Sequence, residues 1–294
     1  MYDCLVIGAG PAGVSAALYA RSRGLEIAVI EADSIGGLIA QVSVVSHFTG
    51  LISEENGRTF SARLSEQLEA AEIPVIYDSV ERIQQSDGGF TVIAANQSYR
   101  AKTVIAAMGS RPKSLGLVAD EEAYVSHRLP TEISEIQDRE IVLCGGSDGA
   151  AKEALFLAQY AKRVHMIQDR EDLFCIAEFR QRIERESKIV VHLGARVTSI
   201  QASSGQVTAV QTTTDETIAC EAVYAYIGQM GNYEPLMGLL PESASFIDLE
   251  SVVSPIPGLY VVGDLRKKTV RQVATAVADG CEAGILASAY VASL

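Results

Sequence analysis

Paired cysteines are what this chain most clearly lacks. Five cysteines occur in 294 residues, and no two of them have the CxxC spacing. They stand at Cys4, Cys144, Cys175, Cys220 and Cys281. An odd number of scattered cysteines in a chain of this size excludes a small fold held together by disulfides. Nothing in their spacing predicts a metal-thiolate centre, and we expect no metal site.

Positive charge is also scarce, because 24 Lys and Arg face 37 Asp and Glu and the net charge is -13. This balance excludes nucleic acid as an expected partner, since phosphate binding needs a basic surface. No apolar run approaches the length of a membrane span. The first residues also lack the charged and apolar segments of a signal peptide. Hydrophobic residues make up 48% of the chain, so we expect a soluble cytoplasmic protein with an ample core.

Two segments with the same order of predicted elements are present, far apart in the chain. Each reads as a strand, a glycine-rich turn, a helix and a second strand, which is the start of a βαβ unit. In the first passage the elements are Asp3–Gly8, Pro11–Arg23 and Glu26–Glu31; in the second they are Glu140–Cys144, a helix through Tyr160, and Arg163–Gln168. Two such units in one chain predict two nucleotide-binding-type domains.

Further strands and one long helix complete the predicted elements. The predicted strands are Phe90–Ala94, Lys102–Ala107, Val190–Ile200, Gln206–Thr212, Ala222–Ile227 and a short buried strand that ends in Gly263-Asp264. A helix over about Arg271–Tyr290 closes the chain. The fold class is therefore α/β, with two Rossmann-like three-layer domains.

The first turn has the spacing of a dinucleotide-binding loop. Gly8, Gly10 and Gly13 match G-x-G-x-x-G, in which the glycines allow a tight turn, close approach of a pyrophosphate and close packing of helix on strand. The helix that follows offers free N–H groups and a partial positive charge to the phosphates. Glu31 ends the next strand 23 residues after Gly8, where an acid can bind the adenosine ribose.

These motifs together resemble the low-molecular-weight thioredoxin reductases. The resemblance rests on Gly8–Gly13, Ile35-Gly36-Gly37, Ala107-Met108-Gly109 and the tail Gly263-Asp264…Arg271-Gln272-Val273-Ala274…Gly280-Cys281, and it covers nearly the whole chain. It implies that FAD binds the first loop, that Asp264 holds the ribityl chain, and that Arg271, Gln272 and Val273 meet the isoalloxazine ring. The full set of FAD-site residues implied by the resemblance and the glycine motif is Gly8, Gly10, Pro11, Ala12, Gly13, Glu31, Ala32, Gly37, Leu38, His47, Val80, Ala107, Gly109, Gly263, Asp264, Arg271, Gln272 and Val273.

The resemblance also implies a domain layout. The FAD domain is expected to be discontinuous, over residues 1–112 and 247–294, with the second βαβ domain, residues 113–246, inserted into it. The family is typically a homodimer, and we carry that over as an expectation.

The chain departs from the family where the reductases have a redox-active CxxC. Counting back from Gly145, Arg128 and Thr131 stand at the two cysteine positions. Disulfide exchange needs an attacking thiolate and a resolving partner, and neither position supplies one. The dithiol step is therefore excluded by that route.

The second glycine motif is altered as well. The family has G-x-G-x-x-A, and the best register here is Gly145, Ser147 and Ala150, with Asp148 beside the serine. Ser147 stands where the close-approach glycine belongs. After the closing strand, Asp169 replaces an expected arginine and Arg170 is the remaining basic residue. A carboxylate repels a 2′-phosphate but can bind a free 2′-hydroxyl, so NADH is predicted over NADPH if a pyridine nucleotide is used.

Two histidines are candidates for proton transfer. His47 occupies a position where the reductases have a polar residue near the flavin N5 and O4, and His127 adjoins the lost dithiol positions. Either could instead be a loop histidine bound by the backbone. His165 and His192 lie within strand-like runs and are interpreted as structural.

The sequence thus predicts an FAD-dependent oxidoreductase that lacks the dithiol and passes electrons directly between flavin and an external partner. Oxygen, a quinone, an iron–sulfur protein of the ferredoxin type or a second flavin remain open as that partner. A second hypothesis is a flavoprotein that uses no pyridine nucleotide and has a degenerate second domain. A third is a flavin-binding sensor without catalysis.

Overall fold

The computed structural model describes residues 1–45, 48–51, 55–130, 132–240 and 245–294. Within them the chain separates into two compact units, Met1–Arg111 with Met230–Leu294, and Pro112–Gln229. Both units are Rossmann-like, and the α/β class predicted from the sequence is confirmed. No helix in these ranges is long and apolar enough to cross a membrane.

The return to the first unit occurs earlier in the chain than the sequence predicts. The sequence-based boundaries are 112/113 and 246/247, whereas the structure assigns the chain from Met230 onward to the first unit. The physical reason is that Leu236 and Leu240 are buried in that unit's core. Leu236 and Leu240 lie in an irregular segment whose apolar residues have neither helical nor strand periodicity. The sequence therefore contains no pattern from which their packing could be predicted.

The first unit begins with alternating strands and helices. These are β1 (Tyr2–Ile7), α1 (Pro11–Arg21), β2 (Ile27–Glu31), α2 (Gly57–Ala70), β3 (Val75–Tyr77), β4 (Val80–Ser86), β5 (Gly89–Ala94) and β6 (Ser98–Ala106). Helix α1 is rich in alanine and has Pro11 in its first turn, where the missing N–H costs no hydrogen bond. Helix α2 is capped by the preceding Asn56, whose side chain accepts a hydrogen bond from the Thr59 N–H at 2.8 Å.

The segments that follow contain the second unit and the return to the first. They are β7 (Ser110–Pro112), α3 (Ala119–Glu122), β8 (Val125–Ser126), β9 (Glu140–Cys144), α4 (Asp148–Leu157), β10 (Arg163–Gln168), α5 (Ala177–Arg185), β11 (Ile189–Leu193), β12 (Val197–Ser203), β13 (Gln206–Thr212), β14 (Thr217–Ala219), β15 (Ala222–Ala225), β16 (Gln229–Gly231), β17 (Leu259–Val261) and α6 (Val273–Ala292).

The main sheet of the first unit has a parallel part and an antiparallel extension. Among the described residues its order is β3-β2-β1-β6-β5-β4, and β17 pairs in parallel with the second half of β6. Pairs β1–β2, β1–β6 and β2–β3 are parallel, and β4–β5 and β5–β6 are antiparallel. The parallel part carries both glycine-containing ends, because β1 runs into the first glycine loop and β17 runs into Gly263.

Helices α1 and α6 pack closely against each other on one face of this sheet. A Cβ at Gly280 would collide with the Ala12 carbonyl oxygen, and one at Gly284 would lie 2.5 Å from the Ala16 carbonyl oxygen. The Ser15 hydroxyl also donates to the Val277 carbonyl at 2.8 Å. Small residues therefore let the two backbones approach, and Gly280 and Gly284 in the middle of α6 lie beside Ala12 and Ala16 of α1.

The second unit has a parallel sheet and a smaller antiparallel one. In the described chain the parallel sheet has the order β11-β10-β9-β15-β8, and the antiparallel sheet has the order β12-β13-β14. The predicted single strand Val190–Ile200 is wrong, because it is divided between β11 and β12, which belong to different sheets. Gly194 lies between them with φ 65°, a conformation that ends a strand.

The histidines interpreted as structural lie on neighbouring strands of the second unit. His165 Nδ1 and His192 Nε2 are 3.0 Å apart. His165 Nε2 lies 3.1 Å from Glu140 Oε2, and His192 Nδ1 lies 3.1 Å from Glu216 Oε2. This chain of side chains links β9, β10 and β11 to the turn before β14, so both imidazoles have partners within the unit.

Candidate cofactor sites

The first glycine loop requires glycine at both of its ends. Gly8 has φ 102°, and a Cβ there would lie 2.5 Å from the Ala107 carbonyl oxygen. A Cβ at Gly13 would collide with the Gly8 carbonyl oxygen. These two positions hold the loop tightly between β1, β6 and α1, which is the packing that the motif predicts.

The middle glycine faces open space. Gly10 has φ -73° and ψ 179°, which any residue can adopt. A Cβ at Gly10 would find its nearest neighbour at 3.9 Å, the Gly36 carbonyl oxygen. The first turn of α1 holds no acidic residue, and Pro11 and Ala12 begin the helix there. The space over Gly10 and the N–H groups of this helix end therefore suit a phosphate.

Glu31 supports the loop from the end of β2. Its Oε2 accepts a hydrogen bond from the Ala9 N–H at 2.6 Å, and its Oε1 accepts one from the Asp33 N–H at 3.0 Å. Glu31 as a whole residue is 9% exposed, and Ala32 beside it is exposed. Each carboxylate oxygen has a second lone pair, so ribose hydroxyls can still donate to Glu31.

The tail of the chain reaches the same loop through Gly263. This residue has φ 68°, and a Cβ there would lie 2.9 Å from Ala12 Cβ. Asp279 of α6 holds the turn, because its Oδ2 accepts from the Gly263 N–H at 2.9 Å. Arg266 and Lys268 each donate to the same carboxylate at 3.0 Å. The charge of Asp279 is thus balanced, and Asp264 is positioned beside the start of α1.

Asp264 is the feature that best fits a bound cofactor. Its Oδ1 is buried and has no hydrogen-bond partner in the part of the chain that the structure describes. Burial raises the pKa of this carboxyl, while Lys268 and Arg271 lower it. An unpartnered buried carboxylate is costly, and it invites a donor from a ligand. The hydroxyl groups of a ribityl chain are such donors, so the residues present fit FAD.

Arg271 carries a second unsatisfied group in this region. Its Nε is buried without a hydrogen-bond partner among the described residues, and its guanidinium carbon lies 3.8 Å from the centre of the Phe246 ring. Stacking on Phe246 fixes the plane of the guanidinium. The Nε donor is therefore held in one direction and is available to a ligand.

The neighbouring residues Gln272 and Val273 form the start of α6. Gln272 is the N-cap, and its backbone N–H donates to the Thr275 hydroxyl at 3.2 Å. Val273 is partly buried and packs on the first unit's core. Gln272 is exposed at this end of the helix.

The remaining predicted FAD-site residues lie at different places in the first unit. Gly37 and Leu38 belong to a short 3₁₀ turn, Gly37–Gln41, and Gly37 has φ 56°. Gly109 has φ 62° and follows the buried Ala107 after β6. Val80 begins β4 and packs on the face of the sheet opposite to α1. His47, which was predicted for both the flavin site and catalysis, lies outside the described residues.

His127 lies in the second unit, just after β8. Its Nδ1 is 3.4 Å from the Ala225 carbonyl oxygen, and its Nε2 is 4.0 Å from Glu122 Oε1. The Glu122 carboxylate also accepts from the Leu115 N–H at 2.9 Å and the Leu117 N–H at 3.2 Å. The imidazole is thus at the carboxyl edge of the parallel sheet, the edge at which α/β proteins bind ligands.

The second glycine loop repeats the backbone of the first. The N–H of Gly145 donates to Ile167 at 2.8 Å, as that of Gly8 donates to Ile30 at 2.8 Å. A Cβ at Gly145 would collide with the Tyr226 carbonyl oxygen, just as a Cβ at Gly8 would collide with the Ala107 carbonyl oxygen. These bonds make Gly145 the equivalent of Gly8.

Ser147 is the equivalent of Gly10 and adopts the same backbone conformation. It has φ -81° and ψ 175° as the N-cap of α4, and its side chain makes no capping hydrogen bond. The serine is therefore compatible with the fold of the loop, and its side chain occupies the side that is open at Gly10. Asp148 Oδ1 accepts from the Ile176 N–H at 2.7 Å, and Ala150 is fully buried beneath the loop.

The acidic run after β10 is exposed. Asp169 and Arg170 both lie on the surface, and the Arg170 guanidinium carbon is 4.7 Å from the centre of the Phe174 ring. Asp172 is paired with Arg180 at 2.6 Å. The basic residue predicted to meet a 2′-phosphate thus already has an aromatic partner.

The cysteines are free, and four of them are buried. Burial raises the pKa of the thiols of Cys4, Cys144 and Cys220 to about 12, and it raises that of Cys175 as well. Protonated, buried thiols do not attack disulfides. Among the described residues no cluster of His, Cys, Asp and Glu is arranged to hold a metal ion.

A family model described as pyridine nucleotide-disulphide oxidoreductase matches residues 2–280. The chain belongs to the pyridine nucleotide-disulphide oxidoreductase family. Membership implies FAD and NADPH as the family's cofactors.

Similar proteins within this family bear the name thioredoxin reductase. That of Mycoplasma genitalium is 30% identical over 96% of this chain and 93% of its own length. That of Treponema pallidum is 28% identical over 100% of this chain and 98% of its own. The crystal structure of the Lactococcus lactis thioredoxin reductase matches with a TM-score of 0.94 at 27% identity, covering 100% of both chains. That from T. acidophilum gives 0.91 at 27%, covering 99% and 98%.

Sequence reasoning missed two residues that the structure brings into these sites. Asp279 anchors the tail, and no sequence signal separated it from Glu282, the other acid of the same helix. Gln168 follows Gly145 by 23 residues, the interval that separates Glu31 from Gly8, so the spacing marks its position although the rule names an acid.

Proposed function

We propose that this member of the family is an FAD-dependent oxidoreductase that transfers electrons directly between its flavin and an external partner, without a dithiol. The observation that carries the proposal is the pairing of unpartnered polar atoms on Asp264 and Arg271 with the absence of CxxC from the sequence. The burial of Cys4, Cys144, Cys175 and Cys220 supports it, because none of these thiols is exposed to a disulfide substrate.

The proposed flavin site uses the residues of the first unit. The N-terminus of α1 and the open side of Gly10 would hold the pyrophosphate, and Glu31 would accept from the adenosine ribose. Asp264 would accept from the ribityl hydroxyls, and Arg271 would direct Nε at the ring system. When bound, FAD supplies the capacity to take up and release one or two electrons.

For the electron donor, we propose NADH over NADPH if a pyridine nucleotide is used. The support is electrostatic, because Asp169 and Glu171 flank Arg170, which already stacks on Phe174. A close pair of like charges near a protein surface costs a few kcal/mol, on the order of a tenfold preference or more. The family's usual NADPH would meet this repulsion with its 2′-phosphate.

A second candidate function is a flavoprotein that takes electrons from a redox protein of the ferredoxin type, or from a second flavin. Ser147 favours it, because its side chain occupies the side of the second loop that is open in the first. We also propose that the chain acts as a homodimer in the cytoplasm, which light scattering of the purified protein and cell fractionation would check.

The test is anaerobic reduction of the purified protein. We expect a yellow protein with about one FAD per chain, bleached faster by NADH than by NADPH, and no reduction of thioredoxin. The Gly10→Glu variant should lose the flavin, because a side chain there fills the pyrophosphate space. Ala62→Glu is the control, since it adds the same carboxylate to an exposed position of α2 in the same unit.

The outcomes separate the candidates. Faster bleaching by NADPH would contradict the role given to Asp169. No bleaching by either nucleotide, with rapid bleaching by a reduced ferredoxin, would favour the second candidate. In that case Ser147→Gly with Asp169→Arg should restore some reduction by NADPH. A colourless protein that FAD cannot reconstitute would reject the flavin site itself.

A further inference from the structure

The two units carry equivalent loops, and this equivalence extends to the last residue of the strand that follows each loop and helix, Glu31 in β2 and Gln168 in β10. The Ala9 carbonyl accepts from the Gly36 N–H at 2.8 Å, and the Gly146 carbonyl accepts from the Phe174 N–H at 3.0 Å. Ala9 and Gly146 are therefore equivalent. Because Gly8 bonds to Ile30 and Gly145 bonds to Ile167, the residues that follow, Glu31 and Gln168, are equivalent as well.

The two equivalent side chains differ in what they bind. The Glu31 carboxylate accepts the Ala9 N–H at 2.6 Å. Gln168 is 3% exposed, and its Nε2 has no hydrogen-bond partner in the described chain. A buried amide that lacks a partner costs free energy, and such groups in folded proteins commonly mark a missing ligand or water.

The direction of the Gln168 side chain is given by its contacts. A Cβ at Gly146 would lie 2.9 Å from Gln168 Cδ and 3.1 Å from Gln168 Cγ. The amide group therefore rests on the backbone of the second glycine loop. This is the carboxyl edge of the parallel sheet, next to the start of α4, where a dinucleotide passes between sheet and helix in this class of fold.

We propose that Gln168 recognises the adenosine ribose of the nucleotide in the second unit, with Nε2 donating a hydrogen bond to the 2′-hydroxyl oxygen. The inference rests on the proposed use of a pyridine nucleotide. In the second unit the Gln168 amide would donate a hydrogen bond to the ribose, whereas in the first unit the Glu31 carboxylate would accept one. Gln168 is a specificity-determining residue, and Asp169 lies beyond it on the surface.

The test measures binding and needs no electron transfer. ADP-ribose, and its analogue that lacks the 2′-hydroxyl of the adenosine ribose, are each titrated into the FAD-loaded protein, and binding is measured by calorimetry. We expect the wild type to bind ADP-ribose about tenfold more tightly than the 2′-deoxy analogue, because one hydrogen bond contributes about this much to the affinity. Gln168→Leu removes the donor and should bind both probes with equal affinity. Gln201→Leu, which alters an exposed glutamine of the same unit, should keep the tenfold preference.

A merely structural role for Gln168 would lower thermal stability in Gln168→Leu and leave the ratio between the probes unchanged, which overturns the inference. Gln168→Glu gives a second reading, because a carboxylate there should still bind ADP-ribose and should bind the 2′-phosphate analogue at least tenfold more weakly than the wild type. An unchanged affinity for the 2′-phosphate analogue also overturns it.

Failure of the proposed function has a different signature. A wild type that binds none of the three probes at millimolar concentration overturns both the inference and the use of a pyridine nucleotide. A wild type that binds ADP-ribose and its 2′-deoxy analogue equally overturns the inference alone.

Discussion

At the scale of single residues, Asp264 is expected to stabilise flavin binding at the expense of folding. Burial raises its folded pKa above 3.8, the value for a free side chain, so its charge opposes folding above about pH 4. This cost disappears as the pH falls below 3.8, where both states are protonated. We predict that Asp264→Asn raises the Tm of the flavin-free protein by about 2 °C at pH 7 and weakens FAD binding.

Calorimetric melting of the flavin-free protein between pH 4 and pH 7, with fluorescence titration of FAD, checks this prediction. The stabilisation should shrink toward pH 4, because the buried charge is then neutralised in the wild type as well. Asp87→Asn removes an exposed carboxylate from the same unit and serves as the control. Tighter FAD binding by Asp264→Asn would contradict the role of this carboxylate.

Residues of the sites were predictable where a sequence rule or a family motif named them. Glu31 follows from the spacing of the first glycine loop, and Asp264 and Arg271 follow from the resemblance. Gln168 obeys the same spacing but is an amide, and the rule looks for an acid. Asp279 could not be predicted, because its partners Gly263 and Arg266 are brought to it only by the packing of α6.

At the scale of elements, the close crossing of α1 and α6 is what positions the tail at the first loop. A Cβ at Gly280 would collide with the Ala12 carbonyl oxygen. Because this is a backbone atom, no change of side-chain rotamer can relieve the clash. We predict that Gly280→Ala separates the helices, lowers stability by about 2 kcal/mol and reduces the retained flavin. Absorbance at 450 nm per chain after gel filtration, with thermal melting, measures both effects.

The matched control is Ala278→Val, which adds carbon atoms to an exposed position of the same helix. It should keep the flavin, at a cost of a few tenths of a kcal/mol in helix propensity. Full flavin retention in Gly280→Ala would show that Gly263 reaches Ala12 without the close crossing, and would contradict this account.

Elements were predicted well where an apolar run was bounded by a turn signal. The βαβ starts show this, since β9 and β10 have the predicted ends and α1 begins at the predicted Pro11. The segment Val190–Ile200 was predicted as one strand because its apolar residues continue past Gly194. The left-handed Gly194 begins the three-residue connection, residues 194–196, that separates β11 from β12, and a single glycine in a strand pattern does not by itself predict such a break.

At the scale of the whole chain, the same glycine loop occurs in both units, but the residues at two equivalent positions differ between them. The first unit keeps Gly10 and an acid at Glu31, and the second has Ser147 and the amide Gln168. Backbone conformation is retained in both loops, so the differences bear on ligands and not on folding. The duplicated pattern was therefore sufficient to predict the fold class, whereas the chemistry of the second loop depends on two side chains.

The cysteines test the proposed function over the whole chain, because they are distributed over both units and none is paired. Cys4 and Cys281 lie in the first unit, and Cys144, Cys175 and Cys220 lie in the second. A flavoenzyme that needs a dithiol loses its activity when thiols are removed, whereas direct electron transfer does not require them. We predict that a variant with all five cysteines changed to alanine keeps its flavin and is bleached by the wild type's donor at a rate within about twofold.

The expected loss in that variant is in stability, on the order of 1 kcal/mol for each buried cysteine, since each substitution leaves a small cavity. Stopped-flow reduction is therefore measured well below the melting temperature, after the flavin content of both proteins has been matched. Cys281→Ala alone is the control for the least buried thiol, and it should behave as the wild type. Loss of electron transfer in the five-fold variant at full flavin content, restored by returning one cysteine, would show that a thiol takes part. The direct route would then be rejected.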